Sequence, residues 1–555
     1  MSIHVHPNDG PPLALPVAEN SSLARNIWLS GALRPPALCS GLGNCGRCRV
    51  RFISAPPESC AAEKLTLGAA ELADGVRLAC CHQARSGMEV QLLVPGLEQR
   101  WQIGTFTGQR LLLAIDLGTT SLHWRALDES ARLVAEGWEL NPQMGAGSEV
   151  MSRLAVAGTA SGKKRLAELV RGSLRALIQA LPVPPDQGCL VANPAMTAIF
   201  LEKNIEGLAS APYCLEDGGN RFECLPDLPP LWLPPQTAPF VGSDATACVA
   251  HILAQEDISY PFVMVDLGTN GEFVLALDAQ HSLVASVPLG PALEGIALRH
   301  GSLAEAGAVS AFELGPTGLR PILVDSSEVS GPDLAPAPGP GGSLAEAGAA
   351  DADAALATGL RPLLAVSEEP RTICASGYLS LLAALLRCGL LDREGHFCPS
   401  SPHPLGARLA AALVQDPEGP RLSLGRNLCL GARDVEAILA VKAAFSLTLA
   451  RLLDQAGLRP HELRHIFLAG ALGAHVRAYD LETLGFLPPG LHKIVRSVGN
   501  AALEGAQLFV LDAGARARAA DWARGCQALD LAADAGFNAD YLAHMHFGTS
   551  LAPAS

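Results

Sequence analysis

The first hundred residues alternate hydrophobic and polar side chains over short runs, which is the pattern of half-buried β-strands. An Asn8-Asp9-Gly10 turn separates the first two runs, so we expect the chain to open with a β-hairpin. A short helix is predicted at 21–33, and later strands are predicted at 49–53 and 89–94. Pro95-Gly96 ends this unit.

From Leu111 onward the pattern changes to an apolar strand that ends in an acidic residue and a glycine turn. LLLAIDLGTTSLHWRAL is followed, about 150 residues later, by FVMVDLGTNGEFVLAL. Such a turn places a carboxylate beside backbone N–H groups and hydroxyls, which can bind phosphate oxygens and the Mg²⁺ that bridges them. One such turn also occurs by accident in unrelated α/β proteins, but two are more specific. The candidate phosphate-binding residues are Asp116, Gly118, Thr119 and Thr120 in the first turn and Asp266, Gly268, Thr269 and Asn270 in the second.

A glycine-rich segment, LCSGLGNCGRCRV, holds Cys39, Cys45 and Cys48 in a C-x5-C-x2-C arrangement. The glycines let the backbone wrap closely around a small inorganic core. The spacing is one residue longer than that of a plant-type [2Fe–2S] loop, and a fourth thiol is available at Cys80 or Cys81. Structural zinc, disulfides and chance spacing are the alternatives. Zinc usually takes two separated C-x2-C or C/H pairs, whereas this region offers one.

Length, charge and cysteine content limit the class of protein. A chain of 555 residues is long enough for three or four domains. Its net charge of −15 argues against binding to nucleic acid or to an anionic membrane. Fifteen scattered cysteines favour a reducing compartment, the first residues do not resemble a secretion signal, and the longest apolar run, 372–386, is too short to span a bilayer. We therefore expect a soluble, cytoplasmic protein.

Two known folds resemble these segments. The cysteine loop and the strands around it resemble a β-grasp ferredoxin, in which the last cluster ligand lies in an R-L-A-C run; the resemblance implies that Cys80 is that ligand. The two D-L-G-T turns resemble the phosphate loops of the actin/Hsp70/sugar-kinase superfamily, in which two RNase H-like halves close on ATP. The segment HIFLAGALG at 465–473 resembles the adenosine loop of that superfamily. The implied fold class is α/β, with an N-terminal β-grasp ferredoxin-like domain followed by two RNase H-like halves.

A ferredoxin-like module joined to this ATPase core resembles the reductive activators of corrinoid-dependent enzymes, including the activator of the corrinoid iron–sulfur protein. The matching strings are NPQMGAGSEVMSR at 141–153, VGSDATA at 241–247, DLGTNGE at 266–272, GPALEG at 290–295, ICASG at 373–377, IFLAGALG at 466–473 and VGNAALEGA at 498–506. The resemblance makes Glu272 and Glu294 candidates for contacting Mg²⁺-bound water or for orienting the attacking water. It also adds to the nucleotide site the residues Asp244, Ser376, Gly377, Gly470 and Gly473.

The chain departs from similar proteins at two nucleotide-binding strings. Those proteins read C-G-S-G where this chain has Ala375, and A-G-G-F-G where it has Ala471 and Leu472. Each change adds bulk where backbone would approach the nucleotide, so we expect adenosine binding to be less secure than phosphate binding. The chain also lacks a C-terminal C-x2-C-x2-C-x3-C run, which sets it apart from activators with additional [4Fe–4S] clusters.

The resemblance implies an ATP-dependent reductive activase. Such an enzyme passes a low-potential electron from a [2Fe–2S] cluster to the Co(II) corrinoid of a partner protein and restores Co(I). Its cofactors would be the cluster, ATP and Mg²⁺, and its partners a corrinoid protein and an electron donor of ferredoxin or flavodoxin type; a homodimer is compatible with it. Two alternatives are a kinase or plain ATPase of the same superfamily with an accessory cluster, and an electron-transfer protein whose nucleotide site has decayed.

These patterns divide the chain into four segments. They are a ferredoxin-like domain at 1–98, a linker at 99–110, a first RNase H-like (middle) domain at 111–257 and a C-terminal ATPase domain at 258–555. The last domain contains a tandem duplication at about 301–366, which we interpret as a surface insertion. Its repeated strings are GSLAEAGA at 301–308 and 342–349, and GLRP at 318–321 and 359–362.

Overall fold

The computed structural model describes residues 2–548 except 9, 19, 98, 256, 297, 316–317, 325–369, 417–418, 426–427, 532 and 535. The N-terminal unit contains strands β1 (Ser2–His6), β2 (Leu13–Pro16), β3 (Arg49–Phe52), β4 (Val76–Leu78) and β5 (Glu89–Leu92), with helices α1 (Leu23–Trp28), α2 (Ala61–Thr66) and α3 (Ala69–Ala73). The middle unit contains β6 (Arg100–Ile103), β7 (Leu111–Leu117), β8 (Ser121–Asp128), β9 (Leu133–Leu140), β10 (Gln187–Ala192), β11 (Arg221–Glu223) and β12 (Leu231–Leu233), with α4 (Val150–Ala157), α5 (Ala160–Ala180), α6 (Pro194–Phe200), α7 (Glu206–Ala209) and α8 (Ser243–Leu253).

The C-terminal unit is the largest. Its strands are β13 (Phe262–Leu267), β14 (Asn270–Ala276), β15 (Ser282–Pro288), β16 (Gly301–Ser302), β17 (Val309–Gly315), β18 (Gly318–Leu323), β19 (Ile373–Cys374), β20 (Leu413–Asp416), β21 (Gly419–Ser423), β22 (Cys429–Gly431), β23 (His465–Ala469), β24 (Val495–Gly499) and β25 (Cys526–Ala528). Its helices are α9 (Ala375–Arg387), α10 (Pro404–Ala410), α11 (Ala432–Ala456), α12 (Ala471–His475), α13 (Ala478–Leu484), α14 (Ala501–Leu511), α15 (Ala513–Arg524) and α16 (Phe537–Ala543).

The N-terminal unit has the β-grasp arrangement. Its five strands lie in the order β2-β1-β5-β3-β4, and β1 is antiparallel to β2 but parallel to β5. Helix α1 packs Leu23 and Ile27 into the core of this sheet. It is shorter than the sequence predicts, because the Ser22 side chain caps its first turn by accepting from Arg25 N, and because Gly31, at φ 70°, turns the chain away soon after it ends.

The middle unit is a seven-stranded sheet in the order β11-β12-β10-β7-β8-β9-β6. β7, β8 and β9 are antiparallel to one another, and β10 is parallel to β7. Arg100–Ile103, which lies within the predicted linker, instead pairs with β9 as an edge strand of this sheet. Trp101 stabilises the pairing by packing edge-on against Trp124, above Gly137, where a Cβ would lie 2.5 Å from the Trp101 ring.

The C-terminal unit repeats the same strand plan. In its main sheet β13, β14 and β15 are antiparallel, and β23 is parallel to β13. The full order is β24-β23-β13-β14-β15-β25, and two smaller sheets are attached to it. Two copies of this plan after a β-grasp unit confirm the predicted fold class, with two RNase H-like halves of the actin/Hsp70/sugar-kinase type.

Helices α8 and α14 lie between the two large sheets. One hydrophobic core contains residues of both sheets and both helices, including Leu112 from β7 and Met264 from β13. At Gly505 a Cβ would lie 2.1 Å from the carbonyl oxygen of Ala247, so the two helices contact each other through bare backbone. Among the described helices, none is long and apolar enough to cross a bilayer.

The first copy of the duplicated sequence belongs to a small sheet next to α9. Gly301–Ser302 forms β16, which pairs with β19, and the first GLRP string lies in β18. The second copies, at 342–349 and 359–362, lie outside the residues that the structure describes.

Lys442 anchors the C-terminal segment. The apolar pattern around it is compatible with either a snorkelling lysine or a residue that reaches the nucleotide from a helix end. In the structure its side chain is completely buried in α11, and its ammonium donates to the carbonyl oxygens of His544 and His546 at 3.2 and 2.8 Å. Burial lowers the pKa of Lys442 to about 8.

Lys442→Met should loosen the C-terminal segment, because it leaves two carbonyl groups without their donor. We expect a loss of about 1–3 kcal/mol of stability at neutral pH, measured by thermal unfolding and by hydrogen exchange of residues 537–548. Between pH 8 and 10.5 the folded chain holds fewer protons at Lys442 than the unfolded chain, so the advantage of wild type over the variant should grow as pH rises through this window. Lys164→Met, at an exposed position of α5, is the matched control; a variant as stable as this control would contradict the anchoring role.

Candidate functional site

The two Asp-Gly-Thr turns face one cleft between the middle and C-terminal units. Asp116 and Asp266 are each the penultimate residue of their strand, β7 and β13. Because these strands occupy equivalent places in the two repeated sheets, their ends meet at a shared cavity of about 210 Å³. The residues of the predicted nucleotide site that line this cavity are Asp116, Gly118, Thr119, Thr120, Asp244, Asp266, Gly268, Thr269, Asn270, Glu272, Glu294, Ser376 and Gly470.

Glu294 connects the two turns directly. It ends a 3-10 turn, Pro291–Glu294, at the edge of the cavity. One carboxylate oxygen accepts from Thr269 Oγ1 at 3.0 Å, and the other accepts from Thr120 Oγ1. Since Thr120 belongs to the middle unit and Thr269 to the C-terminal unit, this one side chain holds both sides of the cleft. Burial raises the pKa of Glu294, although both hydroxyls oppose that shift.

The cleft concentrates negative charge. Burial raises the pKa of Asp244 to about 6, and it raises the pKa of Glu272 well above its ordinary value, with added repulsion from Asp244 and Asp266. Carboxylates in such a group remain ionised together only next to a cation, and oxygen donors of this kind suit Mg²⁺. The donor set therefore fits a magnesium ion that accompanies a phosphate group.

The hydroxyl of Ser302 is a further feature of this cleft that suits a polar ligand. Ser302 lines the cavity and is almost completely buried. Among the residues that the structure describes, its Oγ has no hydrogen-bond partner. A buried hydroxyl in this state can donate to a ligand oxygen without breaking an existing bond.

Arg153 supports the first turn from behind, a role that the sequence did not indicate. It is completely buried, and its guanidinium donates to the carbonyl oxygens of Gly147, at 3.1 Å, and Thr119. It also donates to Gln143 Oε1 at 3.2 Å. Burial lowers its pKa to about 9. In the sequence, the one feature that could have drawn attention to Arg153 is its position as the last residue of the NPQMGAGSEVMSR string.

Three asparagines also hold the first turn in place. Asn141 Nδ2 donates to the Gly118 carbonyl at 2.8 Å, and Asn193 Nδ2 donates to Thr119 Oγ1 at 3.0 Å. Asn500 Nδ2 reaches from the C-terminal unit to Asp116 Oδ2 at 3.0 Å. Asn141 and Asn500 lie in family strings, whereas the only local signal at Asn193 is an Asn-Pro pair at the start of α6.

Two of the predicted glycines do not line the cavity. A Cβ at Gly377 would lie 2.3 Å from the Val309 carbonyl oxygen, and one at Gly473 would lie 2.8 Å from the Leu468 carbonyl oxygen. Both glycines instead allow a helix to pack closely on a strand of the C-terminal unit.

The substituted positions near the adenosine loop fall in different places. Ala375 and Leu472 line the cavity, whereas the side chain of Ala471 lies outside what the structure describes. Gly470 has φ 85°, and a Cβ there would lie 2.9 Å from Asp266 Oδ1. Glycine is therefore needed where this loop crosses the second phosphate turn.

Cys39, Cys45, Cys48 and Cys80 line one small cavity in the N-terminal unit. The thiols of Cys39 and Cys45 hydrogen-bond to each other, and the sulfur atoms of Cys48 and Cys80 lie 3.4 Å apart. In the described part of the chain, no three His, Cys, Asp or Glu side chains are close enough together to hold a single metal ion. Two separate pairs fit a [2Fe–2S] cluster, in which each iron takes two cysteine ligands, better than a zinc ion, which needs four ligands around one centre.

Cys81 does not line this cavity. Its thiol hydrogen-bonds with that of Cys60, and its sulfur atom would lie 3.3 Å from a Cβ at Gly43. The Cys80 and Cys81 sulfur atoms are 3.9 Å apart. Of the two adjacent cysteines, Cys80 is the one that shares a cavity with the other three.

The middle unit covers the thiol cavity. Residues 144–147 also line it, and the N-terminal unit packs closely on them. A Cβ at Gly145 would lie 3.0 Å from Trp28 Cβ, and one at Gly147 would lie 3.1 Å from Ser40 Oγ. These two glycines therefore allow the 144–148 segment to lie directly against the cysteine loop.

Two family models match the chain. One, described as the RACo middle region, covers residues 111–256, and the other, described as the C-terminal domain of RACo, the ASKHA domain, covers residues 261–553. The corrinoid activation enzyme RamQ of Eubacterium limosum is 25% identical over 468 residues, which is 79% of this chain and 70% of that protein.

A second relative is the [Co(II) methylated amine-specific corrinoid protein] reductase of Methanosarcina barkeri, 27% identical over 290 residues. The match covers 50% of this chain and 44% of that protein, so the chain spans less than half of its length. The structure of a reductive activator for corrinoid, iron-sulfur protein has a similar fold over 99% of both chains, with a TM-score of 0.63 and 19% identity. Because the model of the C-terminal domain alone covers more than half of the chain, this protein belongs to the RACo family.

Proposed function

We propose that this protein is an ATP-dependent reductive activator of a corrinoid protein. It transfers one electron from a [2Fe–2S] cluster, held by Cys39, Cys45, Cys48 and Cys80, to the Co(II) corrinoid of its partner and so restores Co(I). A ferredoxin or flavodoxin of the cytoplasm supplies the electron. Family membership supports this proposal, as do two relatives whose names specify corrinoid activation and corrinoid-protein reduction.

The observation that carries the proposal is the position of the 144–148 segment between the two sites. Residues 144–147 line the thiol cavity, and the carbonyl oxygen of Ser148 accepts from Thr269 Oγ1, in the second phosphate turn, at 3.4 Å. An electron carrier and a nucleotide cleft that are connected by one short segment suit a protein that links ATP to electron transfer. A plain kinase has no use for this arrangement.

The energy of the transfer explains why ATP is required. Plant-type [2Fe–2S] clusters have potentials of about −400 mV, and reduction of Co(II) to Co(I) in a corrinoid is harder than that. Each 100 mV of uphill transfer costs about 2.3 kcal/mol per electron. ATP binding and hydrolysis can supply this difference by favouring one of two conformations of the activator and its partner.

The residues of the cleft would have different roles in binding and hydrolysing ATP. The hydroxyls and backbone N–H groups of the two turns would bind the phosphates, and Asp116 and Asp266 would hold the magnesium ion, which supplies positive charge to the phosphate oxygens. Glu272, whose pKa burial raises, is suited to accept a proton from the attacking water. Until the phosphates bind, Glu294 holds Thr120 and Thr269 in position.

The main test is an assay of ATP hydrolysis and cobalt reduction with a Co(II) corrinoid protein and a reduced electron donor. We expect Co(I) absorption to appear only with ATP, and hydrolysis to be stimulated by the corrinoid protein. A rate of ATP hydrolysis that is the same with and without the corrinoid protein would instead indicate a kinase or plain ATPase. A rate of cobalt reduction that is the same with and without ATP would indicate a decayed nucleotide site.

The cluster ligands can be tested by comparing two adjacent cysteines. Cys80→Ser in the full chain should abolish the visible absorption of the [2Fe–2S] cluster and the paramagnetic signal of its reduced form. Cys81→Ser is the matched control and should preserve both, because its thiol contacts those of Cys80 and Cys60 but does not line the cavity. The reverse result would assign the fourth ligand to Cys81.

Asp266→Asn should weaken nucleotide use without affecting the cluster. Loss of the carboxylate removes a magnesium-binding charge, so we expect ATP-dependent cobalt reduction to fall about 10-fold or more, with an unchanged cluster spectrum. Asp454→Asn, at an exposed position of α11, controls for the loss of one negative charge. If Asp266→Asn reduces cobalt at the wild-type rate, this turn does not bind the nucleotide.

A further inference from the structure

The cysteine loop contacts both sides of the nucleotide cleft. Ser40, next to Cys39, accepts from Ser148 N at 2.8 Å, and its Oγ lies 2.9 Å from Ser148 Oγ in the middle unit. Arg47, next to Cys48, donates to the carbonyl oxygen of Gly301 in the C-terminal unit. Residues 39–48 therefore bridge the two units that close around the cleft.

Ser148 and Gly301, the residues that Ser40 and Arg47 of the cysteine loop contact, each adjoin a residue that lines the nucleotide cavity. On the middle-unit side, Ser148 accepts from Thr269 of the second phosphate turn. On the C-terminal side, Gly301 precedes Ser302, which lines the cavity. Gly301 and Ser302 also form β16, which pairs with β19, the first two residues of the ICASG segment. A change in the separation of the two units must displace at least one end of the cysteine loop.

We propose that Ser40 and Arg47 are positioning residues that couple nucleotide binding to the reduction potential of the cluster. This inference rests on the proposed function, since it requires both a cluster and a nucleotide. When nucleotide draws the two units together, the loop is held against residues 144–147, which cover the thiol cavity. When the units separate, the cover loosens and water reaches the cluster.

The direction of the coupling follows from charge. A cluster held by four thiolates is anionic and gains one more negative charge on reduction, so exclusion of water disfavours the reduced form. Closure around nucleotide should therefore lower the potential and make the cluster a stronger reductant. By linkage, nucleotide must bind more tightly to the oxidised protein than to the reduced protein by the same factor.

Variants of the full, cluster-loaded chain can remove the Ser40 and Arg47 contacts without changing a cluster ligand or a residue that lines the nucleotide cavity. Ser40 has φ 57°, so Ser40→Gly removes the hydroxyl while favouring the same backbone conformation. Arg47→Met removes the guanidinium but keeps an unbranched side chain. Arg85→Met removes the same charge from an exposed position of the N-terminal unit and is the matched control.

The experiment measures the cluster potential with and without a non-hydrolysable ATP analogue and Mg²⁺. It also measures the affinity of the analogue for the oxidised and reduced proteins. In wild type and Arg85→Met we expect affinity about 10-fold tighter in the oxidised protein, equivalent to a potential lowered by about 59 mV. Nucleotide should also increase hydrogen-exchange protection at 39–48. In the Ser40→Gly/Arg47→Met double variant the nucleotide-induced changes should largely disappear, although the cluster and the nucleotide still bind.

Different failures have different meanings. A wild-type protein that holds its cluster and binds the analogue with no change in potential would overturn this inference and leave the proposed function intact. A double variant that retains the full nucleotide-induced change would also overturn it. A wild-type protein that holds no cluster, or binds no nucleotide, would overturn the proposed function, and this inference with it.

Discussion

The carboxylate of Glu294, bound by one threonine from each side of the cleft, is the interaction on which the proposed nucleotide site depends. Thr120 lies in the turn after β7 and Thr269 in the turn after β13, and this side chain joins the two turns. It stands near Asp244 and Glu272, whose pKa values are raised by burial and, at Glu272, also by repulsion from Asp244 and Asp266. Under the proposed function, a magnesium-bound phosphate would relieve the repulsion at Glu272, and its oxygens would accept from the same hydroxyls. The cleft is thus arranged so that ligand binding replaces a contact between the two units with contacts to the ligand.

Apolar and polar contacts between the units have different consequences for motion. At the base of the cleft, α8 and α14 pack backbone against backbone at Gly505, and the surrounding core is continuous from one sheet to the other. Such packing resists separation, because any gap loses close contacts that water cannot replace. The contacts nearer the cavity are hydrogen bonds, which can be exchanged for bonds to ligand or water at little net cost. The units should therefore rotate about the helical base, and the cleft should open where the bonds are exchangeable.

Local patterns and the resemblance to known families predicted the fold class, and most of the residues chosen from them line one of the two cavities. Both phosphate turns and the cysteine loop are continuous segments, so their spacing indicated candidate ligands, and the family resemblance supplied Cys80 and the remaining nucleotide-site residues. The supporting residues could not be found in this way, because their partners are distant in sequence: Asn500 is 384 residues from Asp116, and Ser40 is 108 residues from Ser148. Arg100–Ile103 was also missed as a strand, since four residues with one aromatic anchor give little periodicity, and its pairing depends on Gly137 and Trp124.

The family string NPQMGAGSEVMSR illustrates why a matching string does not define its own role. Its position near the first phosphate turn suggests nucleotide binding, yet none of its residues lines the nucleotide cavity. Asn141 and Arg153 donate hydrogen bonds to backbone carbonyl groups of that turn. Gly145 and Gly147 leave room for the N-terminal unit to pack in close contact with the segment. Ser148 of the string contacts both Ser40 of the cysteine loop and Thr269 of the second turn. One short segment thus meets three separate packing requirements, which explains why it needs small residues at 145–148 and a buried cation at 153.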